Sequence, residues 1–190
     1  MKSLDYIAGM FDGEGTFNCQ LSSWQREPKK QPKRKPRTVM KTLLHFGARA
    51  QIGFKQAPAE QKFVIELKER FGGKNYISND GKENGIVSWA TVTNDQCVLF
   101  CETMLPLLDF KKEQCEKLLS IARLVKSKKE DRYKKGYLTR TTDIYTKEEF
   151  QMVIKIATTM NAGRQSNRFR NALGRNTEYY LKLVDKMYGG

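Results

Sequence analysis

Histidine is nearly missing from this chain: His45 is the only one. A lone imidazole, with no CxxC pair anywhere, leaves no ligand set for a zinc site. Cysteine is sparse as well, with four, at 19, 97, 101 and 115, among 190 residues. That excludes the disulfide framework of a small secreted domain. Cys97 and Cys101 share one face of an expected helix, and all four thiols read as small core hydrophobes of a protein kept in a reducing, intracellular compartment. No apolar run approaches the ~20 residues of a membrane span. The opening MKSLDYIAGMF is too short for a secretory signal and is broken by Asp5. Acids are the minority: 21 Asp and Glu stand against 35 Lys and Arg, a formal net charge of +14. Such an excess speaks about partners rather than fold, nucleic acid first and an anionic membrane surface second.

What is present reads as an alternation of helices and strands. Ser3 is placed to cap a short helix from Leu4 to about Asp12, ended by Gly13 and Gly15. TFNCQLSSW follows as a strand, with Phe17, Cys19 and Leu21 alternating against Asn18, Gln20 and Ser22. Prolines at 28, 32 and 36 forbid a helix or a central strand in the basic stretch 25–38, which reads as a long extended loop. A second strand runs from Val39 to about Lys55. Its apolar face is Leu44, Phe46, Ala48, Ala50, Ile52 and Phe54; His45, Arg49, Gln51 and Lys55 lie on the other. Pro58 opens a helix that Gly72 and Gly73 end. Residues 74–93 read as a hairpin turning near Asp80–Gly85. Asn94 or Asp95 caps the next helix, Pro106 ends it, and a further helix spans about Asp109 to Lys126. The stretch 127–146 is too polar to assign. Thr146 and Glu149 form a capping box for a helix, residues 161–176 are basic without a period, and a last helix covers about Thr177 to Tyr188. Consecutive strands joined by short connections imply an antiparallel sheet. With helices covering one face, the fold class is α+β, a single domain over 1–190 with a core over about 3–125 and C-terminal helices and a basic loop over about 146–188.

The chemistry gathers at YIAGMFDGEG, residues 6–15. Gly costs a helix roughly 1 kcal/mol relative to Ala, a cost that close approach of a second helix would offset. Asp12 and Glu14 end the same helix where its dipole is already negative, so a cation belongs beside them. A divalent metal suits carboxylate and backbone carbonyl oxygen. An EF-hand does not fit, because its sixth position would be Phe17 and its twelfth Ser23. DGKENG, residues 80–85, is a turn.

IAGMFDGEG, residues 7–15, resembles the LAGLIDADG motif of the homing endonucleases, with Glu14 where that family has its essential acid. The element order over about 3–125 is similar to the family core, in which the polar face of a sheet saddles DNA. The resemblance implies an intron-encoded, site-specific endonuclease making a metal-dependent double-strand break in a long, roughly palindromic site. It takes Mg²⁺, with Mn²⁺ able to substitute and Ca²⁺ supporting binding without cleavage, and has no small-molecule substrate. Glu14 is then the metal ligand, joined by the Gly13 carbonyl. Lys111, with Lys112 as competitor, matches a basic residue near the reactive phosphate. Gln56, with Gln51 as competitor, matches a polar residue that orders catalytic water. The motif occurs once, so the resemblance implies a homodimer whose seam is the first helix, with Ala8, Gly9 and Asp12 at the interface. TMNAGR, near the C-terminus, lacks the acids of a second copy.

Double-stranded DNA would be gripped by Lys and Arg on phosphates and read by the polar sheet face. Gln20, Arg49 and Gln51 are the favoured readers, on a face shared with Ser22, Lys55, Ser78 and Ser88. Lys29, Lys30, Lys33, Arg34, Lys35 and Arg37 of the proline-rich loop, and Arg164, Arg168 and Arg170 near the C-terminus, are the phosphate contacts. The alternative function is a nucleic-acid-binding relative that does not cut, an intron maturase or a DNA-binding regulator.

Overall fold

The structure is a computed structural model that describes residues 1–26, 41–55, 58–78, 85–128, 133–134, 137–138, 144–160 and 177–189. The elements are α1 (Leu4–Glu14), β1 (Thr16–Arg26), β2 (Lys41–Lys55), α2 (Pro58–Phe71), β3 (Lys74–Ser78), β4 (Ile86–Ala90), α3 (Asn94–Met104), α4 (Lys112–Ser127), β5 (Tyr133–Lys134), β6 (Tyr137–Leu138), α5 (Lys147–Met160) and α6 (Thr177–Tyr188). The fold is α+β. Its main sheet has four strands in the order β1-β2-β4-β3, and β5 and β6 form a separate antiparallel pair. The chain divides into two compact units, Met1–Gln20 with Gly47–Ser127, and Leu21–Phe46 with Lys128–Gly190.

In the first unit, alternation decides which face of the sheet meets the helices. Ala50 and Ile52 of β2, and Val87 and Trp89 of β4, are buried, as are Phe17 and Cys19 of β1. Trp89 centres an aromatic cluster. Its ring lies 5.1 Å from Phe100, which is 4.5 Å from Phe11 of α1 and 5.0 Å from Phe71 of α2. Burying a side chain the size of Phe11 contributes about 1.5–3 kcal/mol, so α1 is anchored to the core one turn before its end. The indole N–H of Trp89 donates to the Gly72 carbonyl at 2.7 Å, tying the end of α2 to β4. Gly73 is required there: its φ is +87°, and a Cβ on it would stand 2.5 Å from the Ala90 carbonyl oxygen.

The caps decide the helix boundaries. The Ser3 hydroxyl accepts from the Tyr6 amide at 3.2 Å, as expected, and α1 runs on to Glu14. The cap of α3 is Thr93, not Asn94 or Asp95: its hydroxyl accepts from the Gln96 amide at 3.2 Å while the Gln96 side chain accepts from the Thr93 amide at 3.2 Å. Pro106 sits in a single 3-10 turn, Leu105–Leu107, that follows α3 directly. α4 begins at Lys112 rather than near Asp109, because 109–111 are held in a separate turn described below. Cys97, Cys101 and Cys115 are buried with Cys19, all as free thiols. Burial pushes the Cys19 thiol up to about 12, and a hydrogen bond with Cys115 raises Cys101, which keeps both protonated.

The second unit has its own core. Phe46 lies 4.9 Å from Tyr145 and 5.5 Å from Phe150, and Phe150 lies 6.1 Å from Tyr188 of α6. The Thr146 amide donates to the Glu149 carboxylate at 2.8 Å, and the Glu149 amide to the Thr146 hydroxyl at 3.2 Å. The expected capping box is therefore formed. The unassigned stretch 127–146 contributes the end of α4 and the short β5–β6 pair. The proline-rich loop and the basic stretch 161–176 lie outside the described residues.

Candidate active site and nucleic-acid face

α1 has two faces. Ile7, Ala8 and Phe11 are fully buried in its own unit. Ala8, expected at a seam between subunits, has no surface to offer one: it faces its own core. On the opposite side Asp5, Gly9 and Gly13 are exposed at spacings of four residues. A Cβ on Gly9 or Gly13 would meet nothing within 4 Å, so these glycines are not needed for packing inside the chain.

The end of α1 is fastened to the turn before α4 from both sides. The Asp12 carboxylate accepts from the backbone amides of Asp109 at 2.8 Å and Lys111 at 2.9 Å. In return the Lys111 ammonium donates to the carbonyls of Phe11 at 2.9 Å, Gly13 at 3.1 Å and Gly15 at 2.9 Å. No basic residue lies in the last turn of α1, so its negative dipole end is met by a lysine ninety-six residues or more along the chain. Asp12 is thereby occupied within its own chain. Glu14, two residues on, projects exposed beside the Gly13 carbonyl. Phe110, between the two amides held by Asp12, is 88% exposed.

Glu14 and the Gly13 carbonyl are hard oxygen donors of the kind Mg²⁺ takes. They fit one edge of a coordination shell and no more. Among the described residues, no group of three or more His, Cys, Asp or Glu could hold a metal ion. The remaining ligands of a divalent ion would come from water, a bound phosphate, another chain or residues outside the described part. Gln56 lies outside the described residues.

The outer face of the sheet can be read row by row from its register. Lys74, Ala90 and Gln51 stand side by side, then Tyr76, Ser88 and Gly53, then Ser78, Ile86 and Lys55. Ser88 and Gln51 are half-buried, Lys55 is exposed, and Arg49 precedes Gln51 by two residues on the same face. The Lys74 ammonium lies 5.2 Å from the Tyr76 ring centroid. Tyr76 is 40% and Ile86 53% exposed. These two, with Lys74, were missed from the sequence, although parity with Ser78 and Ser88 places them on this face. Gln20, Ser22 and Ser78 belong to described strands, but their side chains lie outside the described part. Lys29, Lys30, Lys33, Arg34, Lys35, Arg37, Arg164, Arg168 and Arg170 also lie outside it.

The same architecture recurs in solved structures. The homing endonuclease I-CvuI, crystallised in complex with DNA in the presence of Mg, superposes with a TM-score of 0.62 at 15% identity, over 98% of this chain and 94% of its own. The archaeal intron-encoded homing endonuclease I-Vdi141I, complexed with DNA, gives 0.64 at 13%, over 98% and 97%. The LAGLIDADG homing endonuclease I-GzeII, in complex with its DNA target, gives 0.57 at 17%, over 90% of this chain but 48% of its own. This is the LAGLIDADG homing-endonuclease fold. No protein-family model matches the sequence, and no curated protein matches it. At these identities the likeness is one of fold. What the LAGLIDADG fold explains is placement: IAGMFDGEG lies in α1 and its C-cap, with Glu14 as the last residue of the helix, and the sheet's outer face carries Lys, Arg, Gln, Ser and Tyr.

Proposed function

We propose that the chain is a homing endonuclease that binds double-stranded DNA as a homodimer and cuts both strands with the help of Mg²⁺. The observation that carries the proposal is the end of α1: in a LAGLIDADG fold with a formal net charge of +14, Glu14 stands exposed on a helix whose outer stripe is Asp5, Gly9 and Gly13. The motif IAGMFDGEG occurs once in the sequence, which supports the dimer reading, since one subunit would supply one Glu14. Two α1 helices meeting along Asp5, Gly9 and Gly13 would bring two Glu14 carboxylates together. Each lies beside a Gly13 carbonyl and supplies half of a symmetric centre. A divalent ion held there supplies Lewis acidity, activating water and stabilising the leaving oxygen. Gln20, Arg49, Gln51, Lys55 and Ser88 would face base edges, and the basic loops the phosphates.

Glu14→Gln removes one anionic ligand and leaves the fold untouched, since the side chain is exposed. Cleavage of a randomised duplex library in Mg²⁺ should fall by at least a hundredfold, while DNA retention in Ca²⁺ changes little. Undiminished cutting would remove Glu14 from the centre. Binding by the native chain without any cutting in Mg²⁺ or Mn²⁺ would turn the assignment to the maturase or regulator.

A further inference from the structure

The Lys111 ammonium already donates to the Gly13 carbonyl that a metal would use. Its bonds run to Phe11, Gly13 and Gly15 at 2.9, 3.1 and 2.9 Å, and the Gly13 oxygen is the one backbone donor assigned above to the ion. Asp12, the other acid at this end, is turned away from any ion by two backbone amides at 2.8 and 2.9 Å. The turn cannot drift off, because the same two residues hold it from both sides and Phe11 is fixed in the aromatic cluster. A fixed positive charge therefore sits against a site that, among the described residues, has no group of three or more His, Cys, Asp or Glu to hold an ion. Like charges at such a separation oppose each other strongly where solvent is partly excluded.

We infer that Lys111 is a resident counter-ion of the α1 end that holds divalent metal off the DNA-free protein. Loading then waits for ligands and negative charge that arrive with bound phosphate. Lys111 acts through the Gly13 carbonyl and the local field, so it is a positioning residue toward the metal. The inference rests on the endonuclease reading only for the identity of the metal site, and it is tested without DNA and without turnover.

The probe is Mn²⁺ alone, titrated into the full chain, with free ion counted by electron paramagnetic resonance. The native protein should bind it weakly. Lys111→Met should tighten binding by about tenfold, as loss of one adjacent charge implies. Lys112→Met removes the same charge one residue along, from an exposed side chain, and should change the affinity less than twofold. Adding Glu14→Gln to Lys111→Met should abolish the gain, which places the ion at Glu14. Circular dichroism melting checks the fold, and Lys111→Gln, which keeps hydrogen-bond donors without the charge, carries the test should Lys111→Met not fold. Unchanged or weaker Mn²⁺ binding in the folded Lys111 variant, or an equal gain from Lys112→Met, overturns the inference. Failure to cut DNA despite the Mn²⁺ gain would sink the endonuclease reading and leave this one standing.

Discussion

At the scale of single residues, Asp12 and Glu14 show how position decides the use of identical chemistry. Both are acids two residues apart at the negative end of one helix. Asp12 points to the turn before α4 and is held by two amides; Glu14 is exposed and is the acid proposed as the metal ligand. Charged hydrogen bonds of this kind are worth more than neutral ones, and partial exposure reduces them, so Asp12→Ala should lower stability in urea by about 1–2 kcal/mol. Retained stability would mean the turn is held by Lys111 alone. The acids themselves were legible in the sequence, as was the need for a cation beside them. That the resident cation is Lys111, donating to three carbonyls of the same helix end, was not. Nothing local links residue 12 to residue 111, and only the packing of α1 against the segment before α4 brings them together.

Among elements, local chemistry fixed most boundaries. Ser3 and the Thr146–Glu149 box start their helices where the sequence places them, because the acceptor and the amide it satisfies are three residues apart. Thr146→Ala should cost about 1 kcal/mol, read as a lowered melting temperature; an unaltered melting curve would show that α5 is held by its packing and not by its cap. α3 was misjudged by one residue because Thr93 competes with Asn94 and Asp95 for the same role, and the Gln96 partner makes Thr93 the winner. α4 starts late for a different reason: the Asp109 and Lys111 amides donate to a tertiary partner, the Asp12 carboxylate, which holds this turn outside the helix. Strand parity sorted core from surface correctly on β2, with Phe46, Ala50 and Ile52 buried and Arg49, Gln51 and Lys55 outward. Applied with equal strictness to β3 and β4 it would have found Tyr76 and Ile86.

For the whole molecule, the proposed homodimer rests on α1. A Cβ on Gly9 would meet nothing within 4 Å, so the Gly9→Leu subunit should fold and melt as before while sedimentation shows the dimer lost. A variant that remains dimeric would move the seam elsewhere. Ala8 cannot share that seam, since its methyl group is spent on the core beside Ile7 and Phe11. Element order, strand faces, most caps and the acids at the end of α1 were readable from the residues alone, because each depends on neighbours within a few residues or on a fixed period of side-chain direction. Which side of α1 is buried, which acid the turn before α4 holds and which lysine meets the helix end came only with the packed chain. Those follow from contacts between segments about a hundred residues apart, whose geometry is set by how the aromatic core closes rather than by any local preference.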